Sequence, residues 1–253
     1  MDWIYYILPF IIIIIISLLI AYILSEVRIF KNNFNQNTEN IIEGSVGWAI
    51  VVYGLILGFS ISNFYNRYIT IRDTFVEEVT NLQLIYRYIK IAPNSKEKNE
   101  AIESIRKYAE SVINDLLPNL ADRKYSLVSD IRYKEMNSKI INFVNKHTDY
   151  KFNHNILLRM STDERIKQLV NEMNFGLYYI YILIFLIIFI IIPLWLNVMA
   201  NKIVQLIIDS CILIILFTGI YLCILLNNPF TKSPVSFDFS LYKDLINDIK
   251  VST

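Results

Sequence analysis

Cysteine is nearly absent from the 253-residue chain: the two present, Cys211 and Cys223, both fall inside one apolar run. Thiols there behave as small hydrophobes, which excludes a disulfide framework. Net charge is equally scarce, at a formal +1, so bulk charge points to neither a nucleic acid nor an acidic partner. The motifs of enzyme chemistry are missing too. There is no glycine-rich phosphate loop, no GxSxG, no CxxC and no HExxH. His147 and His154 flank a loop containing Asp149, and with no third ligand defined they read as solvated loop residues and not as a metal site. With no constellation of nucleophile, base and metal, the chain is expected to be no enzyme and to need no cofactor.

What is present is segregated apolar length. The chain is 55% hydrophobic with a mean hydropathy of +0.42, yet 19% of its residues are charged, so the two populations occupy different stretches. Four runs match the ~20 residues that cross a hydrocarbon core at about 1.5 Å per residue. They are Trp3 to Leu24, Ser45 to about Phe64, Phe175 to about Leu196, and Ile203 to Leu226. The first has no positive stretch before it and no cleavage pattern after it, so it reads as a retained span and not a signal peptide.

Between spans two and three the apolar residues recur at helical spacing. A stripe through Ile61, Tyr65, Tyr68, Phe75, Val79, Leu82, Tyr86 and Ile89 extends span two to Ile91, interrupted by Arg72. Pro93 makes a turn, and Asn94 with Glu97 reads as a capping box for a helix from Lys96 to Leu117 that Pro118 ends. Asp130 is expected to cap a helix through His147, Thr148 to Asn155 to form a loop, and the run Ser161 to Glu164 to open the helix that becomes span three. A short amphipathic segment, Leu241 to Ile249, closes the chain.

The expected fold is therefore an all-α membrane protein, four transmembrane helices with a cytoplasmic helical domain inserted between the second and third spans. Its expected divisions are a first helix pair over 1–64, the inserted domain over 65–174, a second helix pair over 175–227 and a cytoplasmic tail over 228–253. Arg67, Arg72, Arg159, Arg165, Lys167, Lys232 and Lys243 lie on the side of the inserted domain, against Arg28, Lys31 and Lys202 on the other. That excess places the domain and both termini in the cytoplasm, in a plasma or inner membrane.

Span two carries the most informative pattern. Gly54, Gly58, Ser62, Asn66, Thr70, Asp73 and Glu77 recur every three or four residues and share one face. Small residues allow close helix contact within one subunit. Alternatively, several copies place this face around an axis as a conduit, since lipid cannot satisfy polar groups. Glu77 and Glu78 point about 100° apart and make no catalytic pair. Asp209, the acidic residue in the run of span four, is expected to reach the interface or to serve an ion or proton role.

The run from Tyr53 to Pro93 resembles the bestrophin-like family of unknown function, in which a Gly-Phe-x-x-Ser element precedes an Arg-bearing helix, a Glu pair, an Asn-x-x-x-x-Tyr-Arg segment and a proline. Here these are Gly58, Phe59, Ser62, Arg67 or Arg72, Glu77, Glu78, Asn81, Tyr86, Arg87 and Pro93. The run Asn227 to Phe237 is similar to the family's acidic-x-Pro-Phe-x-Gly segment, with Asn227 in place of the acid and Lys232 in place of the glycine. No acidic calcium-binding run is visible. By analogy with bestrophin channels, the resemblance implies a homo-oligomeric ion channel of about four or five copies, passing anions such as chloride, with span two around the pore. Its expected lining is Gly54, Leu57, Gly58, Phe59, Ile61, Ser62, Phe64 and Asn66, of which Leu57, Phe59, Ile61 and Phe64 form an apolar constriction. Arg67, Arg72, Asp73, Glu77 and Glu78 supply the charges of the mouth. The alternative is a non-conducting signalling or scaffold module whose cytoplasmic helices bind a partner.

Overall fold

The computed structural model describes residues 3–26, 36–147, 162–196, 201–231 and 237–252. Among these residues the secondary structure is helical, with no strand. The expected loop over residues 148–155, with His154, lies outside the described residues, as do the cap residue Ser161 and the side chains of the turn that follows it.

Helix α1 runs Trp3–Glu26 and α2 runs Gln36–Ile91, a rod of 56 residues and, at 1.5 Å per residue, about 84 Å. It begins before the expected Ser45: Gly44 and Gly47 are each worth about 1 kcal/mol against helix, too little to break one that packing and length support. Helix α3 runs Lys96–Ser111 and is capped by Ser95, not by Asn94. The Ser95 backbone is extended and its side-chain oxygen accepts from the Lys98 N–H at 3.1 Å, one residue later than the capping-box reading placed it.

Pro118 does not end this helix. A π turn over Val112–Leu116 leads into α4, Leu117–Ala121, with Pro118 in its first turn. The N–H of Leu117 donates to the carbonyl of Val112, five residues back, and this wider turn makes room where a proline ring would otherwise strike the carbonyl four residues before it. Helix α5, Leu127–Lys146, is capped by Ser126 and not by Asp130. Asp130 sits in the first turn, where a carboxylate suits the helix dipole, and pairs with Lys134 at 2.7 Å. Helices α6, α7 and α8 are Thr162–Leu196, Lys202–Asn227 and Ser240–Ser252.

Among the described residues four helices are long and apolar enough to cross a membrane, over Ile7–Glu26, Asn40–Ile91, Met173–Leu196 and Lys202–Asn227. The described residues form two compact units that divide between Asn66 and Arg67, between Asn174 and Phe175, and between Asn227 and Asn228.

In the first unit α1 packs on α7, with the Phe10 and Tyr221 rings edge to face at 5.4 Å. Its core joins Tyr53 and Phe64 of α2 to Leu183, Ile187 and Ile190 of α6 and Leu213, Leu216 and Cys223 of α7. Two glycines permit the approach. A Cβ on Gly219 would come within 2.5 Å of the Leu57 side chain, and one on Gly176 would overlap the Asn227 amide and lie 3.0 Å from the Phe64 ring. Asp209 is buried here beside Gln205 and Ser210 on the same helix, so it does not reach out to the interface.

The second unit is a helical core in which α3 lies between α5 and α8. Ile71, Phe75, Val79, Leu82, Ile85 and Ile89 of α2 are buried against Ile105, Tyr108 and Val112, Met136 and Ile140, and Tyr242, Leu245 and Ile249. Residues 228–253 were expected as a tail, but α8 contributes four buried side chains to this core, Tyr242, Leu245, Ile246 and Ile249.

Candidate functional site

Helix α2 is divided lengthwise into two faces. Tyr53, Ser60, Phe64, Ile71, Phe75, Glu78, Val79 and Leu82, most of them three, four or seven residues apart, are buried, the pattern of a helix with one side on a core. Tyr53 fixes the register, its hydroxyl donating to the Leu216 carbonyl at 2.7 Å. On the opposite face Gly54, Gly58, Phe59, Ser62, Asn66, Thr70, Asp73 and Glu77 are exposed. Among the described residues, and apart from the helix's own adjacent backbone, no atom lies within 4 Å of where a Cβ would stand on Gly44, Gly47, Gly54 or Gly58. Among the described residues, then, the small-residue face meets no other helix of the subunit at these glycines. The close contacts fall at Gly176 and Gly219.

The expected lining residues accordingly separate. Gly54, Gly58, Phe59, Ser62 and Asn66 share the outward face, with Phe59 76% exposed. Leu57 and Phe64 turn the other way, Leu57 against Gly219 and Phe64 against Tyr179 with ring centroids 6.1 Å apart. Ile61 is half-buried on the flank. Two full turns separate Leu57 from Phe64, so burying one buries the other, and neither can stand on the face of Ser62.

The charges separate similarly. Arg72, Asp73 and Glu77 are exposed, and the Arg72 guanidinium pairs with the Asp73 carboxylate at 3.3 Å. Arg67 is half-buried. Glu78 is 6% exposed and accepts a hydrogen bond from the Tyr108 hydroxyl at 2.5 Å. Tyr133 and Tyr242 are buried in the same core. Burial first, and then the charge of Glu78, hold the Tyr108 phenol well above its ordinary value; burial raises Tyr133 too, against the hydrogen bond from Asn137. This carboxylate with its tyrosines was not foreseen. The available signal was the adjacent glutamate pair, of which a helix can present one to solvent while the other faces inward.

Lys98 is a second unforeseen anchor. Its ammonium donates to the carbonyls of Lys90 at 2.8 Å and Ala92 at 2.6 Å, and to the Asn94 side chain at 3.4 Å, satisfying carbonyls at the end of α2 that have no helical partner. Beside it the Ser95 hydroxyl and His147 Nε2 stand 3.1 Å apart. Among the described residues no group of three or more His, Cys, Asp or Glu side chains is placed to hold a metal ion.

Beyond residue 227 the chain packs aromatics onto α2. Tyr68 stacks on Phe237 with centroids 4.8 Å apart, and Phe75 meets Phe230 and Phe239 edge to face at 5.9 and 5.8 Å. Thus the two runs that carry the family resemblance, around Gly58 to Pro93 and Asn227 to Phe237, meet within the second unit at Tyr68 and Phe75.

Long apolar helices and an all-helical fold define a multi-pass membrane protein. The profile of the Bestrophin-like domain family matches residues 11–233. The chain belongs to that family. It is similar to a crystal structure of a membrane protein, with a TM-score of 0.66 at 12% identity over 96% of each chain, a likeness of fold. No curated protein matches the sequence.

Proposed function

We propose that the protein is a homo-oligomeric ion channel in which the outward face of α2 lines the pore. The observation that carries this reading is the exposure of Gly54, Gly58, Ser62 and Asn66 along a membrane-spanning helix whose apolar face is already buried. Lipid leaves hydroxyl and amide groups unsatisfied, so such a face belongs against water or against other copies. About four or five chains around an axis meet both needs at once. Phe59 then forms the apolar ring, and Arg72, Asp73 and Glu77 stand at the mouth. Supporting the layout are the family and the position of α3 to α5 between the second and third spans. By the Lys and Arg excess, this helical domain and both termini lie in the cytoplasm of a plasma or inner membrane.

Anion conduction rests on Arg67 and Arg72 and on analogy with bestrophin channels. A specific observation favours cations instead: Arg72 is paired with Asp73, while Glu77 is exposed on the same face one turn further on. Planar-bilayer recording of the purified protein under a salt gradient decides. The expected result is ion current whose reversal potential moves toward anions in Glu77→Lys and toward cations in Arg72→Glu. Bilayers that stay silent at high protein loading reject the channel.

A further inference from the structure

We draw no further inference here: the strongest candidate, the aromatic-walled cleft between α2 and the segment that leads into α8, lined by Arg72, Phe75, Phe237, Phe239 and Tyr242, carries nothing because the Arg72 guanidinium is already paired with Asp73 at 3.3 Å and nothing in the structure shows what occupies the cleft.

Discussion

Replacing Tyr108 by Phe isolates one hydrogen bond in the core of the second unit. The Tyr108 hydroxyl, 1% exposed, donates to the Glu78 carboxylate, 6% exposed, at 2.5 Å. Removing a donor to a carboxylate costs about 1.5–3 kcal/mol, and more where water cannot replace it. Taking about 2 kcal/mol, and roughly 2–4 °C per kcal/mol for a protein of this size, the apparent Tm should fall by about 4–8 °C. The assay is intrinsic-fluorescence melting in one detergent at one scan rate, since membrane proteins seldom unfold reversibly. Glu77→Gln, the exposed neighbour, should stay within about 0.5 kcal/mol of the parent. Glu78→Gln keeps an acceptor and should cost less than Tyr108→Phe, with the double variant less destabilised than the sum. Alkali provides a second readout. The raised phenol value means that Tyr108's contribution is intact below its ordinary value of 10.0 and is lost as pH rises beyond it, so Tyr108→Phe should lose less stability than the parent over that interval. A Tyr108→Phe protein that melts with Glu77→Gln refutes the reasoning.

Three further outcomes are expected. Gly176→Ala should cost about 1–3 kcal/mol, because its methyl must displace Asn227 against the Phe64 ring, whereas Gly58→Ala, with open space at its Cβ, should raise the melting temperature by the roughly 1 kcal/mol of helix propensity it gains; parallel melts compare them. Lys98→Met should destabilise the protein by about 1.5–3 kcal/mol and speed hydrogen exchange at residues 91–96, since the carbonyls of Lys90 and Ala92 lose a charged donor. Lys146, Lys139 and Arg106 hydrogen-bond Glu97, Glu100 and Glu103 and lower their carboxyl values, so the stability they contribute is present above 4.5 and lost as pH falls through the lowered values. The check is an acid titration of the melt with Glu97→Gln/Glu100→Gln/Glu103→Gln, which should flatten that limb.

The spans and the long α2 were legible because an apolar run of more than twenty residues has few alternatives, and because the apolar stripe past residue 64 keeps helical spacing. The small-polar face was legible for the same reason, and every member of it from Gly54 to Glu77 is exposed. The buried face was legible at Phe75, Val79, Leu82, Tyr86 and Ile89, but the stripe took in Tyr65, which is 53% exposed, and passed over the buried Ile71. An aromatic ring is apolar enough to suit either a core or a membrane interface, so composition alone leaves its direction open. Leu57 and Phe64 were assigned to a constriction for being large and apolar, although their seven-residue separation already tied both to the buried side. Glu78 was read as a mouth charge because its donor, Tyr108, comes from another helix, and no local pattern announces that pairing. Ser95 and Ser126 took the caps expected at Asn94 and Asp130, as backbone geometry chooses among neighbouring candidates.

The π turn before Pro118 has a consequence for the helices that follow it. One extra residue within a turn advances everything downstream by about 100° of rotation. With Pro118→Ala nothing bars the α-helical bond at that point, and if the turn relaxed, Leu120 would rotate out of the core and Ser126 away from Asp115. Pro118 thus serves as an index mark, setting the angular phase in which the returning helix delivers the turn at Ala121 and the start of α5.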